Sequence, residues 1–134
     1  MKNPAYLDVV EVRAGGVVRS SVSNVIADFR PAIAQNNITA GTGGAVVLTT
    51  YLTTINTDAG GDAFTLADST VTGQLKKIQL IVDGGGDGVL TFNGTNTITF
   101  ADAGDFAILQ WDGSDWKAVE LGNAADGITA PVLA

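Results

Sequence analysis

Residues 75–121 read LKKIQLIVDGGGDGVLTFNGTNTITFADAGDFAILQWDGSDWKAVEL, and this stretch decides the fold class. Short runs of β-branched, aliphatic and aromatic residues alternate with clusters of Gly, Asp and Asn, the pattern of short strands separated by turns. Asn93-Gly94 and Asp112-Gly113 are strong hairpin signals, because both residues of such a pair tolerate positive φ. The predicted strands are Leu75–Val82, Val89–Phe92, Thr97–Phe100, Phe106–Trp111 and Trp116–Leu121. Further turns fall at Asp83 to Gly88 and at Ala103-Gly104-Asp105. Alternation assigns the faces: in LKKIQLIV, Ile78, Leu80 and Val82 point one way, and Leu75, Lys77, Gln79 and Ile81 the other. Phe92, Ile98, Phe100, Phe106, Ile108, Trp111 and Trp116 are the expected large core residues.

Working toward the N-terminus, Ala63–Leu66 and Val46–Ile55 add two more strands, separated by the turn Asp58-Ala59-Gly60-Gly61-Asp62. Strands this short, with turns at this spacing, predict an all-β body at 46–123. It is expected to be an antiparallel β-sandwich, jelly-roll-like, or a barrel. Residues 1–45 differ. Ala5 to Arg13 alternates well enough for a short strand, which Gly15-Gly16 breaks. The segment SNVIADFRPAIAQNN has room for a helical turn or two after Asn24, but Pro31 interrupts it. The preferred reading is an extended, irregular N-terminal arm, with Gly41-Thr42-Gly43-Gly44 as its hinge. Residues 124–134 read as a tail that docks or frays.

The chain has 134 residues, enough for one domain with a real core. Only 16% of them are charged, against about a quarter in a typical soluble domain. Such a surface suits a protein that buries much of itself in contacts. The net charge is −7, so direct binding to nucleic acid is not expected. Residues 1–30 carry Lys2, Arg13, Arg19 and Arg30 against Asp8, Glu11 and Asp28, a sum of +1, which leaves −8 on residues 31–134. There is no cysteine and no histidine, which excludes disulfides, thiolate chemistry and His-based metal or acid–base sites. MKNPAYLDVVEVR places charges where a signal peptide needs an apolar run. No apolar stretch approaches the roughly 20 residues of a membrane-spanning helix. The expectation is a chain that stays soluble in the cell that makes it, with no membrane partner.

No constellation points to catalysis. The acids sit mostly in turns beside Gly, Ala or Asn, where Asp caps its own backbone, and no pair reads as a glycosidase acid couple. Asp58 with Asp62 and Asp83 with Asp87 place carboxylates on glycine-rich loops of the kind calcium accepts. Neither loop matches an EF-hand or a calcium-binding repeat, and both read as hairpin loops with solvated aspartates. Gly84-Gly85-Gly86 lacks the lysine and helix of a phosphate loop, and no serine has a histidine to serve as base. No catalytic residue, metal or cofactor is assigned. Trp111 and Trp116 could form a sugar platform if exposed; the plainer expectation is that a tight hairpin turns both rings into the core.

Lys76-Lys77, Thr91-Phe92, Ile98-Thr99-Phe100, Gly104-Asp105, Trp111-Asp112-Gly113 and Trp116 together resemble a module of virion structural proteins of tailed bacteriophages. INTDAGGDAFTLAD is similar to its upstream half, so the resemblance covers about residues 46–123. Residues 1–45 carry no part of it. The resemblance implies a β-rich, usually trimeric subunit; that it is not an enzyme is expected from the lack of a credible acid pair. A single small body with an arm and no shaft repeats then points to a capsid decoration (cement) protein. Its expected partners are itself, as a homotrimer, and the major capsid protein. It would be made in the host cytoplasm and placed on the outer capsid surface of the virion. The alternative is a tail or host-recognition subunit that binds glycans through the Trp111–Trp116 hairpin; a carbohydrate-active enzyme ranks last. Apolar and basic arm residues are the expected contacts with capsid or neighbouring subunits: Tyr6, Val9, Arg13, Arg19, Phe29 and Arg30.

Overall fold

A computed structural model describes residues 12–14, 17–20, 35–125 and 129–134. The chain divides into two units, Met1–Ala32 and Ile33–Ala134. In the first, β1 (Val12–Ala14) and β2 (Val17–Ser20) pair antiparallel on either side of Gly15-Gly16. Val12 lies opposite Ser20 and Arg13 opposite Val18, so Arg19 is the extra residue of a bulge. This part of the expected irregular arm is therefore a hairpin. The remainder of that arm, including the segment around Pro31, lies outside the described residues.

The second unit contains β3 (Gln35–Ile38), β4 (Gly44–Ala45), β5 (Leu52–Asn56), β6 (Asp62–Leu66), β7 (Leu75–Val82) and β8 (Gly88–Phe92). These are followed by β9 (Asn96–Phe100), β10 (Asp105–Trp111), β11 (Trp116–Asn123) and β12 (Val132–Leu133). They form two five-stranded sheets, ordered β11-β10-β7-β5-β3 and β12-β9-β8-β6-β4. From β3 to β8 the chain changes sheet at every connection. Successive strands within a sheet therefore run parallel: β3 with β5, β5 with β7, β4 with β6, and β6 with β8. The hairpins β8–β9 and β10–β11 then turn back antiparallel, and the C-terminal residues dock as β12 on β9.

The fold is all-β and sandwich-like, as expected, but its sheets are mixed rather than antiparallel, and they do not close into a barrel. The loops at 58–62 and 83–87 are not hairpins; each carries the chain from one sheet to the other. Glycine-rich turn chemistry marks where a strand ends without fixing which strand the next one joins. Residues 35–45, placed in the arm by the sequence reading, supply an edge strand to each sheet. Gly43, read there as hinge, packs against the Ala63 backbone with a φ of 52°.

One core fills the space between the sheets. Ile55, Ile78, Leu80, Ala107, Leu109, Trp111 and Trp116 come from the first sheet; Phe64, Leu66, Leu90, Phe92, Ile98 and Phe100 come from the second. Phe106 and Ile108, expected inside, are only half-buried and lie on the outer face of the first sheet. Asp105 sets that parity by turning inward. Its carboxylate accepts bonds from the Ala101 and Asp102 backbone N–H groups, at 2.8 and 3.1 Å, and from Asn123 Nδ2 at 2.8 Å. Phe106 must then face outward, where the Lys77 ammonium sits 4.8 Å from its ring centroid. Val82 is exposed rather than aligned with Leu80, because the β5–β7 register shifts at that end.

The second unit has its own core, so deleting residues 1–32 should leave a cooperatively unfolding body. Deleting residues 1–40 also removes β3, with Ile38 and the Asn37–Thr54 contact. Urea unfolding should then show a further loss of about 2–4 kcal/mol, the scale of emptying part of a packed core.

Candidate functional site

The side chain that most shapes its surroundings is Lys76. It shares the inward face of β7 with Ile78 and Leu80 and is fully buried. Its Nζ donates to the Val47 carbonyl at 2.7 Å, to the Thr50 carbonyl, and to the Thr50 and Thr53 hydroxyls at 3.2 and 3.3 Å. This requirement explains why the expected strand Val46–Ile55 is strand only from Leu52. Residues 46–51 curl so that their carbonyls reach the ammonium, since a buried charge without partners is very costly. Gln74 reinforces the curl, its Nε2 donating to the Leu48 carbonyl at 2.5 Å. Burial pushes the lysine down from its ordinary 10.5 to about 8, so the charged form still dominates at neutral pH.

Trp111 and Trp116 pack edge-to-face, with ring centroids 5.5 Å apart. They are 5% and 1% exposed, so the β10–β11 hairpin offers no open indole platform. Trp116 Nε1 donates to the Ala67 carbonyl at 2.9 Å. The Asn93 side chain, on the β8–β9 turn, both donates to the Trp116 carbonyl and accepts from its N–H, each at 2.8 Å. Asn93 itself holds a φ of 48°, as the Asn-Gly turn requires. At the hairpin tip, Asp112 accepts from the Ser114 and Asp115 N–H groups, and those bonds hold its carboxyl below the usual range. Lys117 lies 3.1 Å from Asp115 and 3.5 Å from Asp112 on the exposed surface.

The candidate calcium loops lie at a common corner. Asp62 is buried and accepts from the Gly41 and Asp58 N–H groups, both at 3.1 Å; it is not a solvated aspartate. Asp58 and Asp83 each cap the N–H two residues on, at 2.7 Å. The Asp62 N–H donates to the Asp87 carbonyl at 3.0 Å, and a Cβ at Gly61 would come within 2.8 Å of that oxygen. Gly84 and Gly86 press as closely on the Thr57 and Gly61 backbones. Among the described residues no three acidic side chains gather to hold a metal. Open grooves of about 570 Å³ beside Leu48, Ser69 and Gln74, and of about 460 Å³ beside Phe92, Trp116 and Leu133, hold no nucleophile–base pair.

Of the expected contact residues, Arg13 lies on β1 and Arg19 at the β2 bulge, so one hairpin brings them together. Tyr6, Val9, Phe29 and Arg30 lie outside the described residues. Comparison with protein-family models, curated proteins and solved structures gives no match to this chain. The sequence reading missed the roles of Lys76, Asp62, Asp105 and Asn93. Lys76 had a signal: it occupies the same alternation as Ile78 and Leu80.

Two outcomes follow from the Lys76 cradle. Lys76→Met leaves the Val47 and Thr50 carbonyls without their donor and should cost about 2 kcal/mol, with faster proteolysis within residues 46–51. In the wild type, the unfolded chain holds this proton up to its ordinary 10.5 while the folded chain releases it near 8. Unfolding free energy should therefore carry a rising contribution between those two pH values, and Lys76→Met should lack it.

Proposed function

We propose that the chain is a structural protein of a tailed-phage virion that decorates the capsid. On this reading it binds the lattice of the major capsid protein as a homotrimer and braces neighbouring capsomers. The observation that carries the reading is the use made of the buried ionisable groups. Lys76, Asp62 and Asp105 are each held by backbone groups of the same body, which suits a rigid brace rather than a reaction. The residues that carry the resemblance belong to that framework. Phe92, Phe100, Trp111 and Trp116 are core, and Lys76 and Asp105 lock loops. Charge supports the same division of labour. The basic hairpin with Arg13 and Arg19 precedes a body of charge −8, so the N-terminal unit can approach surfaces that repel the body.

The glycan-binding alternative loses its motivating feature, because neither indole of the β10–β11 hairpin is open to a sugar. On the leading reading, the purified full-length protein should bind stripped capsids saturably, with hundreds of copies per particle by quantitative electron microscopy. Binding of a handful of copies at the tail would support the alternative. Arg13→Glu with Arg19→Glu should weaken capsid binding about 10-fold or more without lowering the melting temperature of the body.

A further inference from the structure

The outer face of the second sheet is built by alternation from β-branched and small residues. Ala63 and Thr65 project from β6, Val89 and Thr91 from β8, and Thr97 and Thr99 from β9. Their inward neighbours Phe64, Leu90 and Ile98 are fully buried, which fixes the parity. Ladder pairing sets Thr65 beside Thr91 and Thr91 beside Thr97, and Ala63 beside Val89 and Val89 beside Thr99. Ala45 extends the first row at β4, and Val132, 65% exposed, extends the second at β12. None of these outward residues is charged, although the body carries −8. The outer face of the first sheet differs: Lys77 and Glu120 both flank Ile108 there, through the β7 and β11 pairings.

The geometry points to this charge-free face as the surface through which copies of the chain meet. It rests on the self-association put forward under the proposed function and names the side chains that mediate it. Two identical acidic bodies repel over about 8 Å at physiological salt. Contact through the corner loops brings Asp58, Asp83 and Asp87 against their own kind, whereas contact through the second sheet brings together only neutral side chains. Thr and Val are stiff at χ1, so ordering them costs little entropy compared with long polar side chains. The hydroxyls of the Thr65–Thr91–Thr97 row supply donors and acceptors that a second copy can match, and Val89 and Val132 supply the apolar contact. In a cyclic trimer the faces turn toward the axis, the β4 margin of one copy against the β12 margin of the next.

The test is sedimentation of the full chain and of three variants. Wild type should sediment as an oligomer at micromolar concentration, and added salt should tighten it by screening the acidic bodies. Thr65→Glu with Thr91→Glu should weaken association about 100-fold or more, because like charges are then buried between copies. Thr65→Ser with Thr91→Ser should keep it. Ile108→Glu, on the other sheet, should leave it unchanged, and circular-dichroism melting must show that each variant is folded. A wild type that stays monomeric in 0.5 M salt overturns the proposal, as does an oligomer that survives the two glutamates or falls apart with Ile108→Glu. Capsid binding is scored separately. An oligomer that dissociates as expected but never binds capsids sinks the decoration reading and keeps the interface. Glutamate variants that stay oligomeric but lose capsid binding assign the face to the capsid and overturn the proposal.

Discussion

Crossing between sheets at every connection from β3 to β8 is the constraint on which the rest of the body depends. Each of the strands from β3 to β7 must hand the chain to the opposite layer, and stacked sheets lie about 10 Å apart. The parallel strands of each sheet are only about 4.8 Å apart, so the crossing loops must stack at the same spacing. At the corner containing Gly61, Gly84 and Gly86 there is no room for a side chain at the glycine positions themselves. Backbone presses on backbone, and Asp62 gathers the N–H groups of two layers on one carboxylate oxygen. Glycines are needed here for approach, while Gly61 also needs its φ of 78°.

The opposite corner meets the same demand by another means. There the loops are longer and carry side chains, and a cation holds them. Lys76 reaches inside the Val47–Thr50 curl, and Trp116 reaches the Ala67 carbonyl of the next loop. One corner is thus packed by bare glycine backbone around the Asp62 carboxylate and the other by two long side chains. Substitutions at the two corners should fail differently, through collision at the first and through unpaired carbonyls at the second.

Much of this was legible in the sequence. Leu75–Val82 coincides with β7, and β8 to β11 begin one residue or less before the predicted strands. Asn93-Gly94 forms the expected turn. Local chemistry determines those features, and local chemistry is what a sequence displays. Strand partnership was not legible, because Asp58–Asp62 and Asp83–Gly88 carry the same residues as hairpin turns, and only the distance between sheets makes them crossovers. Gln35–Ile38 escaped notice because three polar residues do not read as strand; Asn37 and Gln35 earn their place by bonding Thr54 across the pair. The parity of β10 was misread because Phe106 is much larger than Ala107, while Ile108 and Leu109 are equal in size and decide nothing. Size suggested the core, while the Asp105 cap decided it. For contacts, the chain's charge asymmetry was visible at once, but the neutrality of one face appears only when alternation is combined with the ladder register.

The paired indoles have an optical consequence. Trp111 and Trp116 are the only tryptophans of the chain, and they sit edge-to-face in contact, tied to Ala67 and Asn93 across the body. Rings so close and so fixed couple their electronic transitions, giving a paired band of opposite signs in the far-ultraviolet dichroism that vanishes when either ring turns. The molecule therefore carries its own reporter of how well the β10–β11 hairpin is ordered. The signal tracks the seam where the β10–β11 hairpin meets the β8–β9 turn, and it can be followed without any label.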